Sequence, residues 1–493
     1  MKIDLLGGSY QHKYLDLNSQ QCVNWYSVTG AQIEKSKEPH VKFPTPGLEI
    51  FTTITGNKVR GLHVSRDLTS NRLFAVVDDT LYEIGMDTTV TSRGALTNGT
   101  GSTLPIYMAT NTIDEMIIID GGSSLTYSDG YAIITNNGSV QGYIFNLSTN
   151  TLTAIADADF PNTAADIGRV YFSEANNFSS WLGASVFTPT FRADPTLAVC
   201  ALREDIICFG AETAEAYIND GSTPFSRLQR TTQYCGILAP HSAAQFNDGI
   251  AFLGRTDRGE PKVYIYTKDY QVMPISPPSI NYRLSTAATL EDCLGMAEES
   301  KDGHIFYYLS IPSLETTFVY DLTTQEWHER KSKRPYSDAN GQVHEDQFRG
   351  RCMANFNGLH LFGDRYSGKI FIQKYDVFTE DGLTITRLMR SPIYNEEQKY
   401  ISVNSLEVDY NSGYGALSGQ GSTPYLLVSI SKDGGLTYTQ PQQIDVGIQG
   451  RYDKRCKINN LGTGRNWVIE LKLTDPIDFM LGSAVAHGNL GVF

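Results

Sequence analysis

The chain has 493 residues and a formal net charge of −14, from 54 acidic and 40 basic residues. Its 41% of hydrophobic residues can fill a large core, which excludes a disordered chain. Proteins that grip DNA through its phosphates are usually basic, so the charge argues against a DNA clamp. The negative charge is consistent either with simple solubility or with an acidic channel wall past which DNA slides. The 44 glycines and the many Tyr and Phe residues are typical of an all-β protein.

The seven cysteines form no CxxC pair, which favours reduced thiols in a protein assembled in the cytoplasm over a disulfide framework. The first twenty residues lack the basic and apolar regions of a signal peptide. No apolar run reaches the length of a transmembrane helix. We therefore expect neither export by a signal peptide nor a membrane span.

Three regions follow each other along the chain. Residues 1–58 read as an irregular segment, which either reaches a neighbour as an arm or packs on the rest of its own chain. Residues 59–390 are a series of short strand-like runs separated by turn signals, with almost no helical periodicity. Residues 391–493 contain longer alternating strands in hairpins, which predict a β-sandwich-like region or strand exchange with the preceding domain.

The short runs of the middle region recur at a spacing typical of propeller blades. Runs with the character of innermost strands follow each other every 45 to 57 residues, apart from one gap of 91, at Leu62, Tyr107, Ala198, Ala243, Met296 and Met353. Blades of four strands recur at roughly 40 to 50 residues. The hairpin from Val319 to Trp327 resembles a kelch-type blade hairpin. The sequence therefore predicts an all-β fold, a β-propeller of six or seven blades with an additional C-terminal β-sandwich-like region.

The most specific short motif is SKDGGLTY, which fits the Asp-box pattern S-x-D-x-G-x-T-W/Y. We expect the Asp side chain to accept backbone N–H bonds in a tight hairpin, with glycine in a positive-φ position and the aromatic ring packed beneath. Such a motif predicts a structural turn and no chemistry. Its residues are Ser431, Asp433, Gly435, Thr437 and Tyr438.

Candidate catalytic groups carry little weight in this sequence. A propeller glycosidase needs two facing carboxylates, or the Arg cluster and Tyr nucleophile of a sialidase. The candidates are Asp205, Glu212, Glu215, Arg351 and Arg365, but any chain with 54 carboxylates offers as many. The nine His residues show no ligand spacing, and no nucleophile elbow or P-loop occurs. We therefore predict no catalytic residue, no metal site and no cofactor.

One basic run, from Arg330 to Asp338, admits two interpretations. It is either a solvated loop between blades or a contact for DNA or an acidic partner. The loop is the interpretation that the sequence favours.

Three stretches resemble the tail-hub, or packaged-DNA stabilisation, proteins of short-tailed bacteriophages. The first, Gln21 to Phe51, is similar to their "C-x-N-W/L-Y … S-K … TPGL" opening. The second contains Phe160-Pro161, Gly168-Arg169 and Trp181. The third, Asp194 to Tyr266, has an ordered series of motifs: an FG strand, PF-x-R, CG-x-x-AP and FLG. The resemblance covers about residues 20–270.

The resemblance implies a non-enzymatic structural protein of the virion tail, a hub or nozzle that extends the DNA exit channel and retains packaged DNA. The implied partners are the portal and head-to-tail adaptor, a tail needle or plug, and tailspikes or fibres. The implied assembly is a homo-hexameric ring through which DNA passes without sequence-specific binding. Loops 97–105, 134–142 and 411–423 are candidate ring contacts. The alternatives are a sialidase-like propeller glycosidase and a carbohydrate-binding propeller.

Overall fold

The computed structural model describes residues 2–490 except 4–6, 16, 30–39, 67–70, 97–102, 138–139, 157–159, 161–166, 190, 193, 257–258 and 398. The described residues form 43 β-strands, one α-helix and two short 3-10 turns. The prediction of an all-β protein is confirmed.

The first strands of the chain contribute to both domains. They are β1 (Lys2–Ile3), β2 (Gln21–Val23), β3 (Trp25–Thr29), β4 (His40–Pro44) and β5 (Gly47–Thr53).

Blade 1 consists of β6 (Val59–Arg66), β7 (Asn71–Val77), β8 (Thr80–Ile84) and β9 (Val90–Ala95). Blades 2 and 3 share the next eight strands, which are β10 (Tyr107–Thr110), β11 (Glu115–Asp120), β12 (Leu125–Ser128), β13 (Tyr131–Thr135), β14 (Gln141–Asn146), β15 (Thr151–Ala154), β16 (Val170–Phe172) and β17 (Val186–Phe187).

Blade 4 consists of β18 (Thr196–Leu202), β19 (Asp205–Gly210), β20 (Ala214–Ile218) and β21 (Ser226–Arg227). Blade 5 consists of β22 (Gly236–Ile237), β23 (Ala244–Phe246), β24 (Gly249–Arg255), β25 (Lys262–Thr267) and β26 (Val272–Pro274), and helix α1 (Pro278–Ser285) follows it. Blade 6 consists of β27 (Leu294–Glu299), β28 (Ile305–Ile311), β29 (Thr316–Asp321) and β30 (Glu326–Lys333), with β31 (Glu345–Gln347) at its edge.

Blade 7 contains β32 (Gly350–Phe356), β33 (Leu359–Asp364) and β34 (Lys369–Lys374), and β35 (Thr379–Glu380) and β36 (Leu383–Thr384) extend its sheet. The remaining strands are β37 (Arg387–Arg390), β38 (Ile401–Tyr410), β39 (Tyr425–Ser431), β40 (Gln442–Asp445), β41 (Cys456–Gly464), β42 (Val468–Leu473) and β43 (Leu481–Leu490).

The described strands close into a ring of seven blades. The innermost strands contact each other in the cyclic order β6, β10, β12, β18, β23, β27, β32 and back to β6. The fourth strand of blade 7 is β5, which pairs antiparallel with β34, so the start of the chain completes the last blade. This pairing joins the two ends of the ring by main-chain hydrogen bonds and covers an edge that would otherwise be open.

Blades 2 and 3 are interleaved along the chain. Blade 2 is ordered β10-β11-β14-β15, and blade 3 is ordered β12-β13-β16-β17. The chain therefore makes the inner half of blade 2, then the inner half of blade 3, and returns to complete each outer half. The gap of 91 residues between Tyr107 and Ala198 contains one extra innermost strand, β12, which accounts for the seventh blade.

Small residues near the axis and aromatic rings between the blades form the core of the propeller. Small residues such as Ala109, Ala198 and Gly295 lie on the innermost strands, where the blades converge. Aromatic rings pack between neighbouring blades, as Phe74 does with Phe145 at 5.3 Å between ring centroids. These are the positions that small and aromatic residues occupy where blades splay apart from a crowded axis.

The C-terminal region is a β-sandwich. One sheet is ordered β3-β4-β43-β38-β41, with β1 beside β43, and the other contains β37-β42-β39-β40. The second sheet continues into blade 6 through β2, which pairs antiparallel with β37 and by a single parallel bridge with β30. The predicted sandwich and the predicted strand exchange therefore both occur.

Two regions differ from the sequence-based expectations. The segment 1–58, expected to be irregular, contains β2 to β5, whose partners lie more than 300 residues away in several pairings. The basic run is a loop only in its second half, because Arg330 to Lys333 lie in β30, where Arg330 is buried, and the chain leaves the strand after Lys333. The boundaries at residues 58 and 390 stay predictions.

Candidate ligand cavity and junction

The SKDGGLTY motif forms a tight turn after β39. Asp433 Oδ1 accepts the backbone N–H groups of Leu436 and Thr437 at 3.1 and 2.9 Å. Ser431 Oγ donates to Asp433 Oδ1 at 2.6 Å and accepts the N–H of Gly435 at 2.8 Å. Gly435 has a φ of 96°, which glycine adopts without steric cost. The geometry is that of a side-chain-capped hairpin.

Hydrogen bonding dominates the electrostatics of this turn. Partial burial raises the pKa of Asp433, but the hydroxyl and N–H donors around the carboxylate outweigh it and lower the pKa to about 2. The ionised form is therefore the one that the turn holds at neutral pH. Its role as a structural turn remains a prediction.

The same turn contacts the N-terminal segment and the second sandwich sheet. A Cβ on Gly435 would lie 2.9 Å from Ser19 Cβ, so the segment passes directly over the turn. The guanidinium of Arg390 lies 5.1 Å from the centroid of the Tyr438 ring. The turn therefore sits at a packed boundary between the start and the end of the chain.

A buried carboxylate fixes the N-terminal segment to blade 6. Glu329 is fully buried and accepts from Arg283 Nη1 at 2.7 Å, from Ser9 Oγ at 3.1 Å and from Gln21 Nε2 at 3.2 Å. Its second oxygen accepts from Thr316 Oγ1 at 3.0 Å and from Arg283 Nη2 at 3.2 Å. One side chain thus joins α1, blade 6 and the segment that leads into the sandwich.

A cavity of about 760 Å³ opens at one end of the propeller axis. Residues from blades 2 to 7 line it, and they lie where innermost strands begin or second strands end. Its polar lining includes Thr135, Asn136, Asn137, Thr196, His241, Arg255, Glu291, Asp292, Arg351 and Arg365. Its volume lies within the range of small-ligand sites, which is roughly 300 to 1,000 Å³.

A contact across the ring bounds this cavity. Tyr107 of β10 and His241 of blade 5 share a hydrogen bond of 2.9 Å between Oη and Nδ1, and their rings stack at 5.8 Å. Burial lowers the pKa of His241 to about 4, helped by the charge of Arg351. The imidazole is therefore neutral at pH 7 and adds no charge to the cavity.

The structure separates the candidate catalytic residues into two groups. Arg351 and Arg365 both line the cavity, at the same end of the β32–β33 hairpin. Asp205 accepts from Tyr270 Oη, and Glu212 pairs with Arg192 at 2.7 Å. Glu215 is buried in blade 4, where it accepts the backbone N–H of Phe191 at 3.1 Å and the hydroxyl of Tyr217 at 3.2 Å. These three carboxylates are not part of the cavity lining.

The basic run makes internal pairs. Arg330 Nη2 donates to the carbonyl of Pro46 at 2.9 Å, and its guanidinium lies 3.8 Å from the ring centroid of Phe348. Arg334 pairs with Asp346 and Glu315, each at 2.8 Å. Arg330 therefore joins β30 to the segments before β5 and β32, while the pairs of Arg334 lie within blade 6 and its edge strand.

Among the described residues, no group of three or more His, Cys, Asp and Glu side chains is placed to hold a metal ion. No described helix is both long enough and apolar enough to cross a membrane.

Residues 1–377 match the sequence model of the family described as Bacteriophage P22 Gp10, beta-propeller. Residues 386–486 match the one described as Bacteriophage P22 Gp10, beta-sandwich. The chain belongs to the P22 Gp10 family. The tail hub protein gp10 of Salmonella phage P22 is 22% identical to this Gp10-family chain over 285 residues. The match covers 56% of this chain and 56% of the relative, so it spans little more than half the length of that protein.

Solved structures similar to this Gp10-family chain include two enzymes. An exo-β-1,3-galactanase from Phanerochaete chrysosporium is 10% identical with a TM-score of 0.28, over 89% of this chain and 99% of that one. A gluconolactonase from Xanthomonas campestris is 7% identical with a TM-score of 0.30, over 68% of this chain and 89% of that one. At these TM-scores the enzymes carry no conclusion about activity.

Proposed function

We propose that this chain is a structural, non-enzymatic tail hub, or nozzle, of a short-tailed bacteriophage. The observation that carries the proposal is the family match to both the propeller and the sandwich, together with the name of the P22 relative. A ring closed by β5 and fastened to a sandwich by shared strands suits a stiff building block. Such a protein works through its surfaces and needs no catalytic group.

The finer part of the proposal is a homo-hexameric ring that extends the DNA exit channel below the portal and adaptor. The Tyr107–His241 contact crosses the axis of the single propeller. The DNA path that we propose therefore lies between subunits, along surfaces of a chain with a net charge of −14. An acidic wall repels the DNA backbone and lets packaged DNA slide during ejection.

We place one ring contact on the loop 411–423 of the sandwich. Tyr414 packs against Tyr452 at 6.2 Å between ring centroids, and the two side chains are 50% and 69% exposed. Leu417 is 88% exposed on the same loop, and Ile448, close to Gly415, is 47% exposed. A ring needs heterologous contacts, and an exposed apolar cluster of this kind suits a neighbouring copy of the chain. Parts of the other two loops, 97–102 and 138–139, lie outside the described residues.

The ring contact is tested by Leu417→Asp, with Leu182→Asp as the matched control. Leu182 is 53% exposed on the propeller, away from the cluster. We expect Leu417→Asp to abolish ring formation in native mass spectrometry and Leu182→Asp to preserve it. Equal ring formation by both variants would place the contact elsewhere.

The function itself is tested by assembly and by DNA retention. Purified chain mixed with portal and adaptor is expected to add to the end of the adaptor, as seen by electron microscopy. Virions assembled without the chain are expected to fill with DNA and then lose it. The remaining proposed partners, a tail needle or plug and tailspikes or fibres, are expected to bind only after the chain has been added. A strictly monomeric protein that cleaves glycans and ignores the adaptor would overturn the proposal.

A further inference from the structure

Two arginines in the axial cavity make few hydrogen bonds to other described residues. Arg351 donates one hydrogen bond, from Nη2 to the carbonyl of Thr103, and Arg365 donates one, from Nε to the carbonyl of Phe348 at 3.1 Å. Each guanidinium carries five N–H donors. Arg351 Nε and Arg365 Nη2 are buried nitrogen atoms with no hydrogen-bond partner among the described residues.

Neither arginine has a carboxylate within ion-pair distance among the described side chains. Nearby buried arginines differ in this respect. Arg60 pairs with Asp120 and with Asp79, the latter at 3.0 Å, and Arg349 pairs with Asp364 at 2.9 Å. Arg351 and Arg365 therefore give the cavity a positively charged floor with no directly paired carboxylate among the described residues, although Asp346 and Asp364 lie close enough to act on Arg365.

The floor stays charged at neutral pH. Burial lowers the pKa of Arg351 to about 10, and the nearby charges of Arg365 and Arg60 act in the same direction. Burial also lowers the pKa of Arg365. The other charged lining groups, Arg255, Glu291 and Asp292, are exposed at the rim. The two acidic groups at the rim therefore face water and do not neutralise the floor.

Apolar side chains surround the entrance. Leu104 is 41% exposed and Ile167 is 55% exposed, and Pro195, Leu238 and Pro240 complete this side of the lining. Leu104 and His241 both approach Gly122, where a Cβ would lie 2.7 and 3.5 Å from them. A charged floor below an apolar entrance recognises an anionic head on a short apolar body.

We propose that the axial cavity binds a carboxylate, which Arg351 and Arg365 hold while its apolar body rests against Leu104 and Ile167. The carboxylate belongs either to a small acid or to a glutamate or aspartate side chain of a protein segment inserted into the cavity. In both cases the recognised chemistry is the same, because each guanidinium can donate to a carboxylate through its planar N–H groups. The proposal does not depend on the tail hub function.

The test is calorimetric titration of the full chain with matched carboxylates and amides. The probes are glutarate against glutaramide, and acetyl-Leu-Glu-Leu-amide against acetyl-Leu-Gln-Leu-amide. We expect at least tenfold tighter binding of the acid than of the amide in at least one pair. Tighter binding of the peptide than of glutarate assigns the carboxylate to a protein segment, and the reverse order assigns it to a small molecule. Equal binding of acid and amide in both pairs, or no binding, overturns the proposal.

The variants Arg351→Gln and Arg365→Gln locate the site. Each is expected to weaken binding of the acid at least tenfold, while Arg451→Gln, on an exposed sandwich loop, leaves it unchanged. Arg351→Lys and Arg365→Lys keep the positive charge and serve where a glutamine variant does not fold; they are expected to bind with intermediate affinity. Unchanged affinity in folded variants of both arginines would overturn the assignment of the cavity.

Discussion

Replacing Glu329 with glutamine tests whether one buried carboxylate fastens the N-terminal segment to the propeller. The side chain accepts from Arg283 in blade 6's flanking helix and from Ser9 and Gln21 in the segment. Glutamine keeps the shape but removes the charge and turns an NH₂ group toward one of these donors. The NH₂ group leaves a buried donor without an acceptor, and the loss of charge leaves Arg283 without its counter-ion, so both changes destabilise the folded state.

The size of the expected loss of folding stability follows from the pKa of Glu329. Burial raises the pKa of Glu329, but the charge and hydrogen bonds of Arg283, with help from Lys331 and Thr316, lower it from 4.5 to about 2. This difference corresponds to about 3 kcal/mol of folding stability at neutral pH. Because the pKa is depressed in the folded state, this stabilisation is complete above the unfolded pKa of 4.5 and is lost as the pH falls toward 2.

Urea unfolding followed by tryptophan fluorescence measures the effect, since Trp327 and Trp25 are buried near the junction. We expect Glu329→Gln to lower the free energy of unfolding by about 3 kcal/mol at pH 7 and by only about 1 kcal/mol at pH 3. The control is Glu407→Gln, whose partly exposed carboxylate pairs with Lys457 at 2.7 Å and whose loss should leave the urea midpoint unchanged. A deficit that is the same at both pH values would refute the electrostatic explanation.

Three further predictions concern the turn, the ring and the thiols. Asp433→Ala removes the acceptor of two backbone N–H groups and should lower the free energy of unfolding by about 1 to 3 kcal/mol, with a matching fall in Tm; an unchanged Tm would contradict the turn's role. Gly295→Ala places a Cβ 2.0 Å from the carbonyl oxygen of Ser242, so it should destabilise the blade 5–blade 6 contact. Gly183→Ala, with open space around its Cβ, should not, and equal Tm values would contradict the packing. The cysteine thiols have raised pKa values from burial, including Cys456 at about 12, so native protein should react with a thiol reagent far more slowly than unfolded protein; equal rates would contradict their burial.

The sequence predicts the propeller because its strand-like runs recur at the same spacing as the innermost strands of the blades. Leu62, Tyr107, Ala198, Met296 and Met353 all lie in innermost strands, and Ala243 directly precedes one. The hairpin predicted from Val319 to Trp327 is β29–β30. Short strands joined by tight turns carry their own signal, so such elements are visible without a structure.

The interleaving of blades 2 and 3 has no such signal. The run SLTYSDG follows β11 after three residues, as an outer strand of the same blade would, so its position in the sequence favours that blade. The structure moves this run to the next blade as the innermost strand β12. Only packing against both neighbouring inner strands distinguishes the two arrangements, and local propensity does not encode it.

The N-terminal strands were missed for a related reason. Strands β2 and β5 pair with partners at Glu329 and at 369–374, so nothing near them in sequence indicates a sheet. A local sequence pattern, in contrast, could have identified the two cavity arginines as neighbours. Arg351 and Arg365 lie at equal distances from Gly358, and a hairpin with its turn at Asn357–Gly358 brings both to one end.

Strand β5 also has a consequence for folding. It is synthesised before any blade, yet its partner β34 ends at Lys374, so the ring stays open while more than 300 further residues are made. Contacts between strands so far apart in the sequence slow folding. Until β5 pairs with β34, the edge strands of the open ring expose unpaired N–H and C=O groups to other chains. The sandwich closes later still, because β4 pairs with β43 between Lys42 and Leu481. The ring and the sandwich can therefore close only after these distant strands have been made, and the chain before that point is the state most exposed to misassembly.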